Sequence, residues 1–324
     1  MTPSLDLHTH LRGTMAPRIV RYLSKKNRVN LNLSQIFEDS EPLKFADFQD
    51  FLETYDMLGR VVRTTDDLRL LSYEYLKRVA QEGTIYVEFM HSPTHSMENG
   101  IELESQLDAI QAGIKAARDE CGIIATVIAT AVRHAGPDAA LELSESLVSL
   151  QHPVVSGFGL TGNELAFTAQ DFAGPFYLAR RAGLGCTAHV GEWGSADSVI
   201  EAVRTLELDR VGHGINVVSD PAIVDVMARL EVGFEICLTS NHLLKGIGPA
   251  IHPVRELFQR GCKVTLATDD PGYFATTPNK EYRLAEREAK FDIKEIEAMS
   301  LNAIDVAFCS SEDKDLLRNM MPAT

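Results

Sequence analysis

The chain is short of several things, and each shortage narrows the possibilities. Its 324 residues contain five cysteines (Cys121, Cys186, Cys237, Cys262 and Cys309), widely spaced and with no CxxC pair. An odd, scattered set is not a disulfide framework or a zinc ribbon. It reads as free thiols in a reducing cytoplasm, mostly as small buried apolar residues. There is one tryptophan, and aromatics are only 7%. No apolar run approaches the ~20 residues that span a bilayer. The first residues, from Thr2 to Asp6, carry neither a basic segment nor a signal-like apolar stretch. Positive charge is scarce: 31 Lys and Arg against 46 Asp and Glu give a net charge of −15. Such a surface repels nucleic-acid phosphates and anionic membranes, and it points to a cytoplasmic protein with small ligands. Gly-rich phosphate loops and nucleophilic serine elbows are also missing.

The remaining composition, 45% hydrophobic and 24% charged, is that of an ordinary globular chain. Short Val/Ile-rich runs at 84–89, 123–132, 155–159, 184–190, 209–212, 233–236 and 263–267 begin roughly 23 to 40 residues apart. That is the rhythm of repeated βα units with strands buried on both faces. Residues 5–7 supply an eighth strand. Amphipathic segments at 195–206, 221–230 and 253–260 fit the intervening helices. The expectation is an α/β fold, a (β/α)8 TIM barrel, as one domain over 1–324. The connection after the first strand is too long for one crossover helix. Residues 13–83 contain helical patterns at 46–58 and 65–80. The stretch 17–60 reads as an insertion over the barrel mouth, either a lid or an extra packing layer.

Polar residues cluster where strands end. His8-Thr9-His10 closes the first strand, and residues two apart on a strand share a side. His189 ends the fifth strand, His213 follows the sixth, and Asp269-Asp270-Pro271 follow the eighth. All strand C-termini of such a barrel meet at one face. Residues roughly 260 apart in sequence are therefore expected to converge. Three imidazoles and a carboxylate from this set suit zinc with a place left for water, and iron or cobalt fit too. A cation there lowers the pKa of water to roughly 7. Glu192, three residues past His189 and after a glycine, can reach a substrate beside the metal as a proton donor, or else cap the next helix.

These motifs, taken in order, resemble the adenosine deaminase family of the amidohydrolase superfamily over nearly the whole chain. They run from His8-Thr9-His10-Leu11-Arg12-Gly13 through Gly162 and His189-Val190-Gly191-Glu192. Val211-Gly212-His213-Gly214, Thr239-Ser240-Asn241 and Thr268-Asp269-Asp270-Pro271 follow. The resemblance implies one zinc ion held by His8, His10, His189 and Asp269, and hydrolytic removal of the 6-amino group of an adenine-type purine. Asp269 then counts among the catalytic residues. Glu192 would protonate N1, His213 would orient the attacking water, Asp270 would meet N7 and the Gly162 N–H would meet N3. The fourth strand ends without the lysine that bridges two metals in binuclear relatives, and the cytidine-deaminase PCxxC signature is absent.

One departure bears on the substrate. Where the family usually has an acid that receives a ribose hydroxyl, and adenine-specific relatives commonly a Glu, this chain has Arg12. A guanidinium only donates. The expectation is a nucleoside, adenosine or one with a sugar-side acceptor group, with Arg12 in the substrate site and Trp193 walling the pocket. The alternatives are free adenine, an acidic-tailed adenine derivative such as aminodeoxyfutalosine, or a silent binding relative, which the intact residue set argues against. His242 and His252 are expected to be structural or solvent-facing. The oligomeric state is not readable from the sequence.

Overall fold

In the computed structural model, which describes residues 2–32 and 41–322, eight parallel strands form one sheet in the order β1 to β8. They are β1 (Ser4–His10), β2 (Thr84–His91), β3 (Ile124–Val132), β4 (Val155–Thr161), β5 (Gly185–Val190), β6 (Arg210–His213), β7 (Gly233–Ile236) and β8 (Lys263–Leu266). The order follows the sequence without a crossover, so each βα unit lands beside the last. The seam closes just past β8: His10 N–H donates to Asp269 O and Asp269 N–H to His8 O, both at 2.8 Å. This nearly closed (β/α)8 barrel is the architecture expected from the strand spacing. Its strands are buried almost end to end, which is why they read as continuous rather than alternating apolar runs.

Among the described residues, three α-helices occupy the long first connection: α1 (Pro17–Lys26), α2 (Phe48–Gly59) and α3 (Thr65–Gln81). Asp47 caps α2, and Thr64 with Asp67 forms a reciprocal capping box on α3, a cap of the kind that stabilises a helix by about 1 kcal/mol. Lys26 of α1 reaches the buried Asp67 at 2.6 Å, which ties α1 to α3. Residues 33–40 of the expected insertion lie outside the described residues. Among the described residues, no helix is long and apolar enough to cross a membrane, and Cys186, Cys237 and Cys262 are free and buried.

Candidate metal and catalytic site

The closing hydrogen bonds of the seam carry chemistry. Because the β1 end is stitched to Asp269, the side chains of His8 and His10 meet the Asp269 carboxylate directly. His10 Nε2 lies 3.2 Å and His8 Nε2 3.5 Å from Asp269 Oδ1. His189, at the end of β5, adds its Nε2 at 3.1 Å from that of His10. One ligand atom from each of the four residues lies within 4.8 Å of the others.

The donor chemistry fits a divalent cation. His8 Nδ1 faces Glu235 Oε2 at 2.7 Å and His189 Nδ1 faces the Leu160 carbonyl at 3.0 Å. Those partners only accept, so each ring carries a proton on Nδ1 and turns Nε2 inward. In His189 that nitrogen is a bare lone pair, whereas at His8 burial is outweighed by the Asp269 and Glu235 carboxylates, which raise it to about 10, so its Nε2 becomes a ligand by giving up a proton to an incoming cation. His8 Nε2 is buried with no hydrogen-bond partner. Burial, and then the neighbouring imidazoles, hold His189 well below the usual imidazole range, so it stays neutral. Lone pairs gathered this closely repel unless a cation sits among them. Ligand bonds of 2.0–2.1 Å in a tetrahedron give ligand–ligand edges of about 3.3 Å, close to the spacings found.

The outer partners were not singled out in the sequence. Glu235 accepts from His8 and also from Arg210 Nε at 2.6 Å, and Arg210 Nη2 reaches Glu88 at 2.5 Å. All three are fully buried in the barrel interior. Burial alone would raise the Glu235 pKa, but Arg210 and His8 hold it down at about 2. It is therefore an anion that orients His8. Glu235→Gln is expected to weaken metal binding about 10–100-fold, the range for such outer partners. Competition with a chromophoric chelator checks this, and wild-type affinity would remove Glu235 from the assembly.

Glu192 lies on the loop after β5. Gly191 stands at φ +76°, where a side chain is strained, and a Cβ there would come within 2.3 Å of Val199. The loop hangs on Glu164, whose carboxylate accepts from the N–H groups of Gly191, Glu192 and Trp193 at 2.5, 3.0 and 2.7 Å. Asn216 grips the Glu192 and Gly194 carbonyls from the other side. Glu192 does not cap the following helix, a task performed by Ser195. Burial, followed by the nearby Asp269 and Glu164 carboxylates, pushes Glu192 up to about 8. It is thus protonated at neutral pH. His213 and Asp269 both adopt left-handed backbone, φ 60° and 64°, a strain of about 1 kcal/mol or more each for a non-glycine residue. Burial drives His213 down to about 3, so its ring is neutral.

One cavity joins these groups. Its walls include His10, His189, Glu192, His213, Asp269, Asp270 and Gly162. Gly162 sits at φ +92°, where a Cβ would lie 2.9 Å from His134 Nδ1. Asp270 Oδ1 is buried and unpartnered. Burial first, and then Asp269, hold the Asp270 carboxyl well above the usual range. Helix α2 roofs the cavity with Phe48, Phe51, Leu52 and Tyr55, and Asp56 of the same helix meets His95 at 3.4 Å.

Arg12 and Trp193 are not brought to the cavity wall. Arg12 is buried behind it, donating to Ser96 Oγ at 2.9 Å. It is absent from the lining, so this geometry does not place it against a sugar. Trp193 packs on Phe48 at 4.7 Å between ring centroids, with Lys245 Nζ 4.0 Å from its own. It buttresses the roof. Arg133 donates to the His189 carbonyl at 3.1 Å. His242 is exposed, whereas His252 is buried and bonded to Asn241. His134, which follows the end of β3, and His95 also line the cavity, and neither was expected in the site.

A family model described as adenosine deaminase matches residues 3–323. An adenine deaminase from Rhizobium rhizogenes is 37% identical over 306 residues, 94% of each chain. One from Chelativorans sp. is 36% identical over 96% of this chain and 95% of its own. Among solved structures, the adenine deaminase from Arthrobacter aurescens matches with a TM-score of 0.91 at 27% identity, over 99% of this chain and 98% of that one. A zinc-bound amidohydrolase from Burkholderia ambifaria matches with a TM-score of 0.89 at 26% identity, over 98% and 88%.

Proposed function

Because the chain belongs to the adenosine deaminase family, we propose that it hydrolyses free adenine to hypoxanthine and ammonia, with one zinc ion per chain held by His8, His10, His189 and Asp269. The observation that carries the chemistry is a buried Glu192 carboxyl, its pKa raised by burial, lining the same cavity as His10, His189 and Asp269 of the cluster. Free adenine replaces the nucleoside as the substrate for two reasons. The relatives reported above that carry a substrate in their names are adenine deaminases. In addition, Arg12 is buried outside the cavity lining, with Nη2 donating to Ser96, which gives no support to a sugar-side contact.

The steps follow from the residue types. A divalent ion held by His8, His10, His189 and Asp269 would lower the pKa of water to about 7 and so provide hydroxide at neutral pH. Attack at C6 pushes electrons onto N1, and Glu192 delivers its proton there. Asp270, held protonated, donates to N7, and the Gly162 N–H meets N3. The ring is thereby fixed on three edges, so C6 faces the cluster. His213, neutral and beside Asp269, steadies the attacking water and the charge that develops. The new C6 hydroxyl passes its proton to the amino group, the C6–N bond breaks as the 6-oxo group forms, ammonia leaves, and the proton released when water became hydroxide restores Glu192.

A purine panel followed by the ultraviolet change on loss of the 6-amino group tests the assignment. Adenine is expected to reach a kcat/KM of about 10⁴ M⁻¹s⁻¹ or more, the lower end for a natural substrate. Adenosine and aminodeoxyfutalosine should fall roughly 100-fold below it. Equal or better turnover of either would overturn the free-base assignment.

A further inference from the structure

The three hydrogen bonds of Asn241 form a chain with only one self-consistent arrangement of protons. Val254 N–H lies 3.1 Å from His252 Nδ1, and a backbone N–H can only donate. His252 Nδ1 therefore accepts, which places the proton of the neutral ring on Nε2. Burial keeps His252 neutral, its pKa lowered to about 4. His252 Nε2 is 3.0 Å from Asn241 Oδ1, so it donates there. That contact fixes which way the amide faces. Its Nδ2, with two hydrogens, is turned toward Glu192 Oε1 at 3.2 Å and His213 Nδ1 at 3.3 Å. Asn241 is itself fully buried, and its backbone N–H is tied to Cys237 O.

We propose that His252 and Asn241 are positioning residues that set the proton pattern of the reaction: they hold His213 as the Nε2–H tautomer and leave Glu192 Oε2 to carry the transferable proton. His213 Nδ1 accepts from the amide, so its one ring proton lies on Nε2, the nitrogen 3.9 Å from Asp269 Oδ2. His213 thus presents a donor to the attacking oxygen and no lone pair that competes for the metal. Glu192 Oε1 accepts as the carbonyl oxygen of a neutral carboxyl, so the acidic hydrogen belongs to Oε2. An amide turned the other way would put Oδ1 against both groups. His213 would then take its proton on Nδ1 and point a bare Nε2 at the cluster. His252 opposes that flip from a site that touches neither substrate nor metal.

This relay rests on Glu192 as the donor in the deamination proposed above, and its test separates the two. Nitrogen-15 spectra of histidine-labelled, metal-loaded protein distinguish protonated from bare ring nitrogens without any substrate; a His213→Asn sample assigns the resonance. In the wild type His213 should be protonated at Nε2 and bare at Nδ1. In His252→Phe the tautomers should mix, with kcat on adenine down about tenfold or more and KM within about twofold, as expected when orientation rather than binding is lost. In the isosteric Asn241→Asp the proton should move to Nδ1, and the alkaline limb of the rate profile should move up, because a carboxylate beside Glu192 disfavours its ionisation. A wild-type His213 protonated at Nδ1 overturns the relay, even if the substitutions collapse the fold. So does a His252→Phe protein with an unchanged tautomer and kcat. If adenine is not turned over, the tautomer measurement still decides the relay.

Discussion

Replacing Glu192 with Gln is expected to lower kcat on adenine by roughly 10²-fold or more, within the range for losing a positioned general acid, while metal content stays at the wild-type level. The amide is nearly the same size and can still meet N1, so binding should change little. What it lacks is an acidic proton. The loop geometry should survive, because Glu164 holds the backbone N–H groups of Gly191, Glu192 and Trp193 rather than the Glu192 side chain. Steady-state kinetics together with metal analysis separates this from site collapse: near-full activity in a metal-replete variant would remove Glu192 from the acid role. The same carboxyl sets a pH limit. Its pKa, lifted by burial to about 8, makes the protonated, active form dominant below that pH. Activity should therefore fall as pH rises through about 8, and the Gln variant should lose that limb.

Arg210→Met is expected to destabilise the fold by about 3–5 kcal/mol, the cost of removing one partner from a buried ionic group. Arg210 bridges Glu88 and Glu235 in the barrel interior, and all three are fully buried. The guanidinium also lies 3.5 Å from the centroid of the Phe308 ring and donates to the Val306 carbonyl. Methionine fills similar space but leaves two carboxylates facing each other without a cation. At about 2–4 °C per kcal/mol for a chain of more than 150 residues, Tm should drop by on the order of 10 °C. Lysine should rescue only in part, since one ammonium cannot reproduce the fork. Thermal unfolding within a degree of wild type would show that these groups are not held as ions. Acid should act on the same cluster. Glu235 is depressed from the usual 4.5 to about 2, so its stabilisation is present above 4.5 and is lost as pH falls toward 2.

The reading of individual residues shows where sequence logic works and where it stops. Strands β6, β7 and β8 are within one or two residues of the runs read from the chain, because parallel strands buried on both faces leave a plain apolar signature. His8, His10, His189 and Asp269 were visible because each closes such a run. Arg12 was visible too, but its surroundings were not. Its residue type pointed to an anionic or acceptor-rich substituent, yet the fold turns its fork to Ser96. Glu235 and Arg210 lay inside strands recognised only for their hydrophobic neighbours. His252 looked like one more loop histidine.

The sequence by itself determined the barrel, and which histidines and carboxylates close its strands in what order, since periodicity and strand-end chemistry are local properties. Only the tertiary structure decided which nitrogen of each histidine is bare, which carboxyl keeps its proton and which charged side chain faces the cavity. Those depend on the groups lying opposite, on burial and on the hydrogen bonds those groups can give, and such neighbours come from distant parts of the chain.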